Sequence, residues 1–391
     1  MSAVQEILDK LHARRLEKFL KHALSTFLGL FLSHERVTEV PLDTIRNILV
    51  IRQHNQLGDM LCAVPLLRAL RQRLPEAHIV LVASPVNYEV MLHNPFVDEV
   101  ILYNKFQFFR SPIHLVRFYR KLRARRYDLA VVPSTVSVSF TSDAMAYLCG
   151  ARYRIGASSL NGVENIASRF FNLPVLAEWK PEASVHQTER NLEFVRCIGI
   201  STDDLSIVIR LTDEERKSAD EFLRPHLAKN QIAIGFHPGA GKPQNRWPAE
   251  HFARVADRLA SEIDALLVIT AGPMDDEAVQ QMVKNLRSSY LLVSGKGIRE
   301  VAAIIDRLSL FVTNDTGVMH VAGATSTRVL ALFGSSDPYQ WAPRSQRHRF
   351  LVAPNRDIRS LTEEEVHDAA VEMIRGNKKS VWLAPPSQQS Y

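Results

Sequence analysis

From residue 46 onward, short continuous apolar runs alternate with segments whose apolar positions recur at helical spacing. Residues 47–52, 79–83, 97–103 and 127–132 read as strands, with helices expected at about 59–73, where Pro65 is placed to kink the helix or delay its start, and at 113–126. Uninterrupted apolar strands separated by helices predict a parallel sheet covered on both faces. Residues 133–185 are less regular, and 186–199 reads as a helix closed by a C-cap glycine. The alternation restarts after an expected hinge at 200–212, with strands at 231–236, 265–271, 290–293, 308–313 and 328–333. A helix opened by Pro248 carries Phe252, Val255, Ala256 and Leu259 on one face. The expected fold class is therefore α/β, with two Rossmann-like, doubly wound units, 46–205 and 206–376, facing a cleft.

The flanks follow other patterns. Within 4–31, Val4, Ile7, Leu8 and Leu11, and then positions from Phe19 to Phe31, keep helical spacing, leaving one face apolar and the other basic. Contact with a membrane surface through residues 1–40 fits this amphipathic helix, and so does packing on the protein itself or on a partner. Pro41, Leu42 and Asp43 begin a linker that completes a 1–45 extension, and 377–391, with Pro385 and Pro386, reads as a disordered tail.

With 391 residues, 46% hydrophobic and 23% charged, the chain exceeds what one core serves, since single cores stop growing beyond roughly 250–300 residues. No run reaches the roughly 18–20 apolar residues that span a bilayer, and the first thirty residues lack a secretory layout. Cys62, Cys149 and Cys197 lie far apart in apolar stretches and read as buried thiols in a reducing compartment, without metal-ligand spacing. A net charge of +6, with local bunching at 117–126, suits an anionic small molecule or membrane surface, or a solvated helix face. No nucleic-acid motif accompanies it.

Ligands of open parallel sheets bind at the carboxyl ends of strands, which singles out four loops. After the first strand come Gly58 and Asp59, and Asp59 fits either a general base or a helix N-cap. The loop opening with His237 carries Gly239, Gly241, Lys242 and Arg246; its cations suit a phosphate or simply face solvent. After 265–271, Asp275 and Asp276 fit a ribose hydroxyl or a helix cap. The fourth loop, Asn314, Asp315, Thr316, Gly317, Val318, Met319 and His320, joins an apolar strand to a helix rich in small residues. Its backbone N–H groups suit a diphosphate. Asp315 would be repelled by phosphate unless it caps the helix, orients a neighbour or holds a sugar hydroxyl, and His320 fits a pocket or a structural role.

Taken in order, Ile48 to Arg52 with Leu57-Gly58-Asp59 and Pro65-Leu66-Leu67-Arg68-Ala69-Leu70, then Trp247-Pro248-Ala249-Glu250-His251-Phe252, then Asn314 to His320 with Leu332-Phe333-Gly334-Ser335-Ser336-Asp337-Pro338, resemble glycosyltransferase family 9, the ADP-heptose:lipopolysaccharide heptosyltransferases. The resemblance runs from about residue 46 to 355. It implies a GT-B fold and an inverting, metal-independent transfer, with no cofactor beyond the nucleotide-sugar donor, ADP-linked in this family, and with a lipid-linked glycan acceptor. Carried over, Asp59 becomes the base, Thr316 and Gly317 contact the diphosphate, Asp315 helps hold the donor and His320 lines its pocket. The expected location is the cytoplasm, with peripheral contact on the inner face of its membrane.

One departure stands out. The family commonly places a lysine two residues before the Trp-Pro pair, where this chain has Asn245, leaving Lys242 or Arg246 to substitute. Alternatives are the same fold with another nucleotide sugar, a nucleotide-sugar epimerase, or a non-catalytic nucleotide-sugar or glycan binder. A dinucleotide-dependent oxidoreductase is disfavoured, because no G-x-G-x-x-G follows the first strand of either half.

Overall fold

The computed structural model describes residues 36–54, 56–179 and 184–376; the expected helix at 4–31 and the tail at 377–391 lie outside the described residues. The first sheet contains β1 (Asn47–Arg52), β2 (His78–Ala83), β3 (Glu99–Leu102), β4 (Leu129–Val131) and β5 (Tyr153–Leu160). They pair in parallel in the order β3-β2-β1-β4-β5; antiparallel β6 (Val163–Glu164) and parallel β7 (Leu173–Ala177) both pair with β5. The second sheet is parallel throughout, in the order β10-β9-β8-β11-β12-β13. Its strands are β8 (Ile232–His237), β9 (Ala265–Thr270), β10 (Tyr290–Val293), β11 (Leu310–Asn314), β12 (Arg328–Phe333) and β13 (Arg349–Val352). In both sheets the chain reverses its direction of winding beside the first strand, which opens a crevice at the carboxyl ends of β1 and β4, and of β8 and β11.

The apolar runs form strands because both faces are buried. In β1, Ile48 and Val50 join the largest core, while Leu49 and Ile51 enter a second core on the opposite face, following the two-residue period of a strand. That second core is closed by Phe118 and Leu122 of α5 (Pro112–Leu122). On the far face of the second sheet, Trp247, Phe252 and Val366 form a third.

The structure departs from the expected elements in several places. The helix expected at 59–73 is two, α1 (Leu57–Leu61) and α2 (Val64–Arg73), because Pro65 occupies the first turn of the second. The irregular stretch contains α6 (Phe140–Leu148), which Ser139 caps by accepting the Ser142 N–H, as well as β5 and β7. Pro248 is the residue before α9 (Ala249–Ile263) and lies just outside it. Cys62 and Cys149 are buried, but Cys197, at the end of α7 (Gln187–Arg196), is exposed where the helix runs out to solvent.

The largest core runs from the β1 face and α2 through α7 to α11 (Ile298–Ile305), α12 (Gly317–Gly323) and Phe333, so the two units share one apolar interface. Polar clamps border it. Arg299 of α11 donates to the carbonyls of Glu89 and Leu92 at 3.1 Å and to both Glu215 carboxylate oxygens. Arg68 of α2 donates to Ser206 O at 2.8 Å in the connecting segment, and His186 Nε2 lies 2.9 Å from Ala342 O. At the centre α1 meets α12: a Cβ on Gly58 would lie 2.7 Å from the His320 ring, and one on Gly317 would lie 3.4 Å from Leu57 Cβ.

Gly58 is therefore required for close approach. Gly58→Ala is expected to destabilise the fold by about 1–3 kcal/mol through overpacking against a buried ring. Adding His320→Ala should relieve part of that loss. Chemical denaturation of both single variants and the double variant tests this; purely additive effects would show that the two residues do not meet.

Candidate functional site

The β1 strand delivers Arg52 and then Asp59 to the crevice. Asp59 sits in the first turn of α1, but residue 56 occupies the cap position and no side chain caps the helix. Asp59 is 4% exposed, and its Oδ1 is buried without a hydrogen-bond partner among the described residues. Burial raises its pKa above the usual carboxylate range, against the opposing pull of the Arg52 guanidinium. Arg52 is itself buried and held by the Pro133 carbonyl, by Thr135 Oγ1 at 3.1 Å and by the Asp59 carbonyl at 3.3 Å. Asp59 is thus a buried carboxylate with raised proton affinity that does not cap its helix.

The second unit contributes the loops after β8 and β11. Asn314, at the end of β11, accepts from Trp247 N at 3.0 Å and donates to the Pro238 carbonyl at 2.9 Å, tying the two loops together. Asp315 follows it and accepts from Asn245 Nδ2 at 3.2 Å. Burial raises the Asp315 pKa, while Ser336 and the nearby Lys242 charge act in the other direction. The residue in the family lysine's place thus touches Asp315, but as a neutral amide whose Oδ1 accepts from Ser335 Oγ at 3.2 Å.

Lys242 is exposed, whereas Arg246 turns back to donate to Ala240 O at 2.9 Å and lies 3.8 Å from Glu277. Thr316 is the cap residue of α12 without a side-chain cap bond, and Gly317 opens the helix against Leu57. His320 is fully enclosed, 3.9 Å from Cys62 Sγ and edge-on to Trp341, and burial lowers its pKa to about 4. It is a neutral ring in the contact between the units. Asp59, Thr316, Gly317 and His320 therefore converge where α1 meets α12, with Asp315 and Lys242 alongside and Arg246 turned aside.

The third loop serves its own unit. Asp275 accepts from Gly272 N at 2.7 Å and lies 3.5 Å from His237 Nε2, and a Cβ on Gly239 would collide with its carboxylate. It holds the cap position of its helix, but its side chain makes no cap bond and is buried. Burial lowers the His237 pKa, and the Asp275 charge opposes that shift. Glu364, His367 and Asp368 cluster closely enough to hold a cation, but His367 already pairs with Glu262 at 2.9 Å and Glu364 with Arg258 at 2.7 Å.

Sequence reasoning missed a cavity of about 590 Å³ at the carboxyl ends of β1 to β4, lined by His54, Tyr103, Lys105, Phe106 and Phe140 among others. The strand-end rule would have led to these residues, but their aromatic and polar types follow no motif. A second cavity, of about 480 Å³, lies beside Gln244, Arg246 and Arg356 in the other unit.

Similarity to known proteins matches this architecture. The chain matches glycosyltransferase family 9 (heptosyltransferase) over residues 115–369, which take in Lys242 to His320 and begin after Asp59. It is 26% identical over 315 residues to lipooligosaccharide heptosyltransferase 2 of Haemophilus influenzae, covering 77% of this chain and 87% of that protein. To lipopolysaccharide heptosyltransferase 2 of Escherichia coli it is 27% identical over 306 residues, or 75% and 84% of the two chains. A family 9 glycosyl transferase structure from Veillonella parvula superposes with a TM-score of 0.75 at 26% identity, over 84% of this chain and 97% of that one. The E. coli ADP-heptose lps heptosyltransferase II structure superposes at 0.69 with 24% identity, over 84% and 98%, and shares the fold. The fold is GT-B, and the chain belongs to glycosyltransferase family 9, the heptosyltransferases, and is a glycosyltransferase.

Proposed function

We propose that the protein transfers a heptose from an ADP-linked donor to a lipopolysaccharide core or related surface glycan, with inversion at the anomeric carbon. The observation that carries this reading is Asp59: a buried carboxylate with an oxygen unpartnered among the described residues, one residue from the contact that joins the two units. In this reading Asp59 takes the proton from the acceptor hydroxyl as that oxygen attacks the anomeric carbon. The bond from that carbon to the diphosphate breaks on the opposite face, and the nucleoside diphosphate leaves. The N–H groups of Thr316 and Gly317, with Lys242, receive its charge, while Asp315 orients the donor. The cavity lined by Tyr103, Phe106 and Phe140 gives the acceptor sugar aromatic faces beside Lys105. The names of the H. influenzae and E. coli relatives support the donor and acceptor classes.

Asp59→Asn is expected to lower kcat by about 10²–10⁴ with little change in donor affinity, as for loss of a general base. Because burial raises the Asp59 pKa, wild-type activity should fall with decreasing pH from above the ordinary carboxylate range, as the base becomes protonated. A steady-state pH profile measures this limb. Full activity in Asp59→Asn would refute the assignment of the base.

Asn245 favours a second reading, the same transfer with a different nucleotide sugar, because the Asp315 carboxylate meets an amide in the lysine's place. Thermal unfolding with ADP-, UDP-, GDP- and CMP-sugars separates the two. Under the ADP reading, ADP-sugars alone stabilise the fold, by about 2.7 kcal/mol at a hundredfold excess over Kd. Stabilisation by another nucleotide instead replaces that reading with the second.

A further inference from the structure

The segment after β3 is unlike the rest of the molecule. Between Tyr103 and Tyr127 the sequence holds eight Lys and Arg and no Asp or Glu, whereas the whole chain holds 48 Lys and Arg against 42 Asp and Glu. Without these eight the balance is 40 against 42, so this one segment accounts for the basic character of the protein.

The structure folds it into α4 (Lys105–Arg110) and α5 (Pro112–Leu122), pinned to the first sheet by a ring cluster. Tyr103 lies 5.1 Å from Phe108 and 5.3 Å from Phe118. The inward face of α5 buries Phe118 and Leu122 in the core. Its outward face carries Ile113 and Val116, 52% and 55% exposed, with Arg117 and Arg120 exposed at the i, i+3 and i+4 positions beside them. Phe106 of the adjoining α4 is a further large apolar side chain at 64% exposure. Lys121 pairs with Glu99 at 3.3 Å, but Arg117 and Arg120 make no ion pair among the described residues.

We propose that this α4–α5 face docks the enzyme onto a bilayer surface containing anionic lipids. Large apolar side chains flanked by unpaired arginines, with no acid among them, match the two layers of such a surface. The apolar groups enter the boundary of the acyl chains, and the guanidinium groups meet lipid phosphates. Lys105 and Phe106 of α4 line the cavity above β1 to β4, so docking of the α4–α5 face would turn that cavity toward the membrane. That orientation rests on the acceptor reading given above, whereas lipid binding itself does not. The segment 1–40 is a separate candidate for membrane contact on its sequence. The described chain enters at the other edge of the sheet, where Val37 N bonds Asn172 O beside β5 and β7, away from β3.

Sedimentation of the full chain with vesicles of phosphatidylglycerol and phosphatidylcholine, against phosphatidylcholine alone, tests the proposal without requiring sugar transfer. Wild type should bind the anionic vesicles, and less well in high salt. Arg117→Glu with Arg120→Glu should weaken that binding at least about tenfold, since each arginine near such a surface contributes roughly fivefold. Ile113→Ser with Val116→Ser should weaken it independently and serves as the readout if the charge variant does not fold. Lys18→Glu with Lys21→Glu should retain binding. Unchanged binding in the α5 variants, failure of wild type to bind, or loss confined to the Lys18 and Lys21 variant would each overturn the proposal.

Discussion

The contact of Gly58 with His320 sets the geometry on which the candidate site depends. The imidazole lies 2.7 Å from where a Cβ on residue 58 would be, so the α1 backbone packs directly on the ring and Asp59 is held beside α12, whose Gly317 faces Leu57. Burial keeps the ring uncharged near neutral pH, which allows it to be enclosed against Cys62 without a counter-charge. Arg299 and Arg68 reinforce the contact from its edges through backbone carbonyls, which are acceptors whose position depends on the fold of the main chain.

Within that frame the two units have different electrostatic characters. On the first, Asp59 is desolvated beside a single guanidinium that is itself occupied by the Pro133 and Thr135 oxygens, so the carboxylate keeps an oxygen free. On the second, Asp275 and His237 form a buried acid–base pair that is closed on itself and supports the loop after β8. Asp315 remains, with the neutral Asn245 amide as its direct partner and Lys242 as a more distant charge. The Asn245 amide carries no charge where the family has a lysine, and both of its ends are hydrogen-bonded, to Asp315 and to Ser335.

Most of the fold was legible in the chain because strand burial is a local, periodic signal. Ile48 to Ile51 alternate between two cores as a doubly covered strand must, and the second half repeats the pattern from Ile232. The failures were also local. The kink expected at Pro65 became a full break between two helices, and α6 escaped notice because its Ser, Thr and Asp residues interrupt the apolar period. At the site, the strand-to-helix loops after β1 and β11 were readable, but Gly58 lies inside α1 and serves its approach to His320, not a tight turn. A cap and a base have the same sequence, as do a pocket histidine and a packed one.

The sequence by itself determined the two parallel-sheet units, the strand-end loops and the family to which they belong, since periodicity, turn chemistry and motif order all act over short stretches of chain. Only the tertiary structure decided that Arg246 turns back on its own loop, that Asn245 meets Asp315, and that an acid-free basic segment presents its apolar residues outward. It alone placed His320 against α1, with Cys62 and His320 meeting across 258 residues of sequence. Such contacts depend on how two separately patterned sheets pack together, and no local run of residues encodes that distance or the desolvation that follows from it.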